Sequence, residues 1–132
     1  MKWQNIPKNI KKYQGFIYKI TNLKTDKFYL GKKFFWSKKV RQPLKGRKNK
    51  RHYLVESDWK DYYGSCNNLL SDIKKYGKKC FKREIIKLCE TKFDCAYEEM
   101  LSQIEHNVLF REDSYNEIIN VRLRKRKQSN RL

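Results

Sequence analysis

Between Gly15 and Gly31 the chain alternates apolar and polar positions in two short runs. Phe16, Tyr18 and Ile20 fall on one face, and Ile17, Lys19 and Thr21 on the other, as in a half-buried strand. The stretch NLKTD supplies turn chemistry, and β-type residues resume from Lys27 to Gly31. A turn centred between Leu23 and Lys24 sets Tyr18 directly opposite Tyr29. Opposed residues share a face with their Cβ atoms about 5 Å apart. Both hydroxyls then project from one side of the hairpin.

Further on, the pattern changes period. Ser57 could cap a helix that Gly64 interrupts, and Ser65 could cap a second, with Leu69, Leu70 and Ile73 as its apolar stripe and Gly77 as its stop. The run CFKREIIKLCE, 80–90, is apolar and β-branched in its middle and suits a strand. From Asp94 as a cap, Ala96, Met100, Ile104 and Val108 recur at helical spacing. REDSYNEII turns the chain out of the domain. Two strands, a loop, a helix, a strand and a helix fit one small α+β fold.

Charge sharpens this picture. There are 33 Lys and Arg against 14 Asp and Glu, a net charge of +19, and such a field draws polyanions. Nucleic acid is the expected partner. No apolar run approaches the roughly 20 residues of a membrane span, and no signal-like core opens the chain. Residues 32–52, KKFFWSKKVRQPLKGRKNKRH, are the most basic stretch. Pro43 and Gly46 break it, so it reads as a long loop. Phosphate contacts are expected from Lys32, Lys38, Lys39, Arg41, Lys45, Arg47, Lys48, Lys50 and Arg51, and from Arg122, Arg124, Lys125 and Arg126 in the tail. The four cysteines form no CxxC pair, which argues against zinc and for reduced, packed thiols in a cytoplasmic setting.

FIY at 16–18 followed by YLG at 29–31 resembles the signature of the GIY-YIG nucleases. The order downstream is similar too: YYGS, a helix ending KKYG, the strand REIIKLC, a helix with glutamates, then YN at 115–116. The resemblance is to small phage-encoded members related to homing endonucleases, over about residues 15–120. Two departures stand out. Phe16 occupies the place of the first glycine, with Gly15 one position earlier, and Leu30 that of the second isoleucine.

The resemblance implies an antiparallel sheet of about three strands flanked by helices, with a long basic insertion, about 34–56, after the second strand. A basic arm (1–14) and a basic tail (122–132) would flank a domain spanning 15–121. It also implies metal-dependent hydrolysis of DNA phosphodiesters, with one Mg²⁺ (or Mn²⁺) per site and double-stranded DNA as the substrate; a lone site would nick, and a double-strand break would need a homodimer or two successive encounters. Glu99 is the expected metal ligand, with Glu105 as its competitor. Tyr18 would activate or position water, aided if Lys33 favoured its phenolate. Tyr29 would contact the phosphate, and Asn116 would anchor the site. Most members carry an arginine on the helix after the second tripeptide; here that region is lysine-rich and interrupted by an insertion, so no arginine can be assigned to that place. Lys33 is the first candidate for that role, with Lys39 and Arg41 open, and Tyr63 is assigned to a later His or Tyr position. A basic nucleic-acid-binding protein without catalysis would account equally well for the charge, but not for the two-tyrosine spacing with a downstream Glu and Asn. An inactive nuclease fold serving as an interaction module or inhibitor is a third alternative.

Overall fold

The computed structural model of the protein describes residues 2–125. The chain forms β1 (Gly15–Asn22), β2 (Phe28–Phe34), β3 (Trp36–Arg41), β4 (Arg51–Glu56), α1 (Asn67–Tyr76), β5 (Phe81–Cys89) and α2 (Lys92–Glu105). Strand β1 lies between β2 and β5 and is antiparallel to both. Both its faces are covered. Phe16, Tyr18 and Ile20 pack with Leu69 and Ile73 of α1 and with Trp3 and Trp59. Ile17, on the other face, packs with Cys95 of α2. The architecture is therefore α+β, as expected, with a second sheet made of β3 and β4 alone.

The register of the first hairpin differs by two residues from the expected one. Tyr18 pairs with Gly31, and Tyr29 with Ile20. The cause is Asn22, which ends the strand instead of opening the turn. It is wholly buried. Its Oδ1 accepts from the Lys24 N–H at 2.9 Å, and its Nδ2 donates to the Tyr115 hydroxyl at 3.1 Å. The Asn22 N–H donates to Lys27 at 2.7 Å, and Asp26 takes φ +61°, which a short polar side chain tolerates. A shift of two keeps the parity of the pleat, so both tyrosines stay on one face.

The basic stretch is not a loop. It folds into the β3–β4 hairpin, with Pro43 and Gly46 in the connection between strands. Residues 38–54 are exposed apart from Pro43. The hairpin is fixed at its root, where Trp36 Nε1 donates to Tyr13 O at 2.9 Å and Ser57 Oγ donates to Phe34 O at 2.6 Å. Ser57 thus ties the hairpin down and does not cap a helix; a single 3-10 turn, Trp59–Asp61, follows.

Both helices differ in detail from the sequence pattern. Cys66, not Ser65, precedes α1, and Leu70 is exposed while Leu69 and Ile73 are buried. Thr91 caps α2, accepting the Asp94 N–H at 3.0 Å. The face of α2 turned to the sheet runs through Cys95, Glu99 and Gln103, not through Ala96, Met100 and Ile104; Ile104 is 53% exposed. Gln103 wins its place by hydrogen bonding, its Nε2 donating to Leu30 O at 3.0 Å.

The two ends of the chain close the sheet's edges. The first residues, expected as a basic arm, lie along β5. Gln4 donates to Arg83 O at 2.8 Å and accepts from the Ile85 N–H at 3.0 Å, while Trp3 is buried and donates to Trp59 O. Residues 113–116 run beside β2, with Phe28 donating to Asp113 O at 2.9 Å and Tyr115 donating to Phe28 O at 2.7 Å. The four cysteines are free. Among the described residues no helix is long and apolar enough to cross a membrane.

Candidate active site

Strand β2 and its surroundings gather most of the residues singled out above. Tyr18 stands in the middle of β1, and its ring sits 6.1 Å from that of Tyr29. The Tyr18 hydroxyl lies over Gly31: a Cβ at that position would meet it at 2.6 Å and Tyr29 Cε2 at 2.9 Å. Gly31 therefore makes room for the phenol, whereas Gly64, which also passes near that hydroxyl, is required by its φ of +92°.

A third tyrosine completes the cluster, and it is Tyr62, not Tyr63. Its ring lies 5.9 Å from that of Tyr18, edge to face. The backbone at Tyr62 is extended (φ −81°, ψ 131°), so neighbouring side chains diverge. Tyr62 turns to the hairpin. Tyr63 turns away and stacks against the Arg83 guanidinium at 4.1 Å. The doublet in YYGS signalled a tyrosine here, but nothing in the pattern chose between the two.

Burial, above all, pushes the Tyr18 hydroxyl well above the ordinary phenol value, and a hydrogen bond to Tyr62 and the nearby Tyr29 act in the same direction. Tyr29 is pushed up to about 12, again first by burial and then by Cys66 and Glu99, against a hydrogen bond from Ser65. Both are neutral phenols at physiological pH. Burial thus works against the phenolate that a Lys33 field could favour. Lys33 does share the face of Tyr29, but its Nζ pairs with Asp58 at 2.7 Å and lies 4.2 Å above the Tyr62 ring.

Glu99 approaches the same strand from the α2 side. Its carboxylate meets Lys32 Nζ at 3.4 Å and keeps 18% of its side-chain exposure. The phenols and the acid therefore lie on the two sides of one edge strand, with the Glu99 charge acting on both hydroxyls. Glu105, the competing acid, is exposed on the far side of the helix. Asn116 is buried and grips the backbone between Tyr29 and Gly31. Its Oδ1 accepts the Leu30 N–H at 3.0 Å, and its Nδ2 donates to Leu30 O at 2.8 Å.

The remaining basic residues fall into separate places. Lys32, Lys33, Lys38, Lys39 and Lys92 line one groove of about 500 Å³ between the site and the hairpin root. Arg41, Lys45, Arg47, Lys48, Lys50 and Arg51 are exposed farther out on the hairpin. Arg122, Arg124 and Lys125 are exposed near the C-terminal end, and Arg126 lies outside the described residues.

Residues 2–119 match a protein-family model described as "Putative endonuclease segE, GIY-YIG domain". The chain belongs to the GIY-YIG nuclease family. No curated protein and no solved structure matches it. The GIY-YIG match includes the first residues, in keeping with the burial of Trp3. GIY-YIG nucleases are generally dependent on divalent metals. Among the described residues no three His, Cys, Asp or Glu side chains gather as a metal cage. A single, partly exposed carboxylate suits a hard cation that keeps most of its waters, and Glu99 meets that description.

Proposed function

We propose that this GIY-YIG protein is a divalent-metal-dependent DNA endonuclease whose site lies around Gly31, between Tyr18, Tyr29 and Tyr62 on one side of β2 and Glu99 on the other. The observation that supports this reading is the placement of a phenol cluster and a carboxylate on the two sides of one edge strand, beside a groove lined by lysines. Glu99 would hold the ion, Mg²⁺ or Mn²⁺. When bound, such an ion polarises a phosphoryl oxygen and eases departure of the leaving oxygen.

The chain's own groups supply the rest. Tyr29, neutral and beside the opening, donates a hydrogen bond to a phosphate oxygen or to the attacking water. Tyr18 acts through position: buried and protonated, it holds Tyr29 and Tyr62 in place. Lys33 brings positive charge to the tyrosine side in the role the family gives to arginine, and Lys32 does so beside Glu99. Charge placed in advance where a pentacovalent phosphorus would form lowers the barrier without reorganisation. Asn116 positions the strand that carries Tyr29. The β3–β4 hairpin is taken as the basic insertion, and the substrate as duplex DNA.

The test is plasmid cleavage with Mg²⁺ and with EDTA, by the wild type and by Glu99→Gln. Nicking that needs the metal and disappears in the variant, while DNA binding persists, is the expected result. A wild type that binds DNA and never cuts with Mg²⁺ or Mn²⁺ would show a nucleic-acid-binding protein on a nuclease fold.

A further inference from the structure

We infer that the β3–β4 hairpin is a ribbon that enters the major groove of duplex DNA with its Arg41–Arg51 face leading. The inference rests on the reading of DNA as the substrate, and it assigns the hairpin a partner surface.

Three observations carry it. The first is isolation: residues 38–54 are exposed apart from Pro43, and the two strands form a sheet of their own. A lone two-stranded hairpin is marginal in water and needs a further surface to rest on. The second is charge. Residues 37–55 hold eight Lys and Arg and no acid. The third is register. Lys39 pairs with Tyr53, and Arg41 with Arg51, so these four side chains share one face. Two arginines directly opposite each other repel and destabilise the pair. Arg41 is fixed by stacking on the Tyr53 ring at 4.4 Å, and no carboxylate within the hairpin strands offsets the repulsion there; Glu56 lies at the other end, opposite Trp36. An arrangement that is unfavourable alone becomes favourable against a polyanion.

Shape selects which one. The major groove of B-DNA, about 12 Å wide, admits a two-stranded ribbon, whereas the minor groove, about 6 Å wide, does not. Arginine is also the side chain that reads guanine edges there by paired hydrogen bonds. The deep, narrow major groove of duplex RNA excludes such a ribbon. The lysine groove at the hairpin root then leads the DNA backbone from the ribbon to Lys32 and Glu99.

The experiment measures binding of the full chain, in EDTA, to a labelled mixed-sequence DNA duplex as salt is varied. It compares the wild type with R41A/R51A and with a variant in which residues 38–54 are replaced by a short Gly-Ser turn, leaving Trp36 and Ser57 in place. Near-ultraviolet circular dichroism confirms that each variant keeps its fold. Methyl green, which occupies the major groove, should displace the wild type, and netropsin, which occupies the minor groove, should not. R41A/R51A should flatten the log–log salt dependence by about two charges and weaken binding about tenfold or more near physiological salt. The trimmed variant should lose its sensitivity to methyl green. Displacement by netropsin instead, an unchanged salt slope in both variants, or equal binding of duplex RNA would overturn the inference. Cleavage is scored separately. A protein that cuts but fails these tests loses only the ribbon, and one that passes them but never cuts loses only the nuclease reading.

Discussion

The phenol of Tyr18 occupies the space where a side chain at position 31 would be: a Cβ on Gly31 would stand 2.6 Å from the hydroxyl and 2.7 Å from Cζ. The last residue of the second tripeptide is glycine because the last residue of the first is tyrosine. Gly31→Ala should therefore cost about 1–3 kcal/mol of stability, the range for overpacking. It should also reduce cleavage, since Tyr18 or Tyr29 has to move. Urea unfolding and the nicking rate check both effects. A variant with wild-type stability and rate would mean that the two strands are spaced differently.

Asn116 and Leu30 give a second prediction. Asn116→Ala leaves the Leu30 N–H without its partner at a buried edge, while Gln103 still serves the carbonyl. A loss of about 1–3 kcal/mol is expected for one orphaned buried group. Hydrogen exchange should show it locally, with the Leu30 amide exchanging faster than those in the centre of β1.

The two adjacent tyrosines should separate cleanly. Tyr62→Phe removes the hydroxyl that partners Tyr18 and should slow cleavage by about tenfold or more, the scale on which small misplacements act. Tyr63→Phe keeps the ring that stacks on Arg83 and should leave the rate near wild type. The reverse ranking would restore the assignment made from the sequence.

The raised phenols predict a pH response. Tyr29 is held at about 12, so it remains a hydrogen-bond donor throughout the physiological range. The ratio of wild-type to Tyr29→Phe cleavage rates should be flat from about pH 6 to about pH 9, far below the phenol's titration. Stability follows the same sign. Tyr29 and Tyr115 sit at about 12 in the folded chain, above the value of about 10 expected unfolded. Their contribution is complete below about pH 10 and lost as the pH rises through about 12. Urea midpoints should fall across that window, and less steeply in Tyr115→Phe.

Much of this was legible in the sequence wherever the signal was a local period. The alternation at Phe16, Tyr18 and Ile20 gave the strand and its face, and parity protected that face from an error of two in the register. Strand β5 was legible from its apolar, β-branched middle. What escaped depends on distant partners. Asn22 looks like a turn residue until Tyr115 arrives to satisfy it from the other end of the chain. Apolar spacing rotated α2 toward Ala96 and Met100 because no periodicity can value a glutamine bonded to the Leu30 carbonyl. That same polar face carries Glu99, so the pattern misjudged the packing at the place where its candidate acid lies. In the basic hairpin, charge masked a β pattern that only the paired register makes plain.

Residues 113–116 stitch the outer edge of the strand that bears Tyr29. Every other member of the cluster, from Tyr18 to Glu99, precedes that stitch in the sequence. Synthesis therefore has to pass residue 116 before the strand edge that carries Tyr29 can be completed.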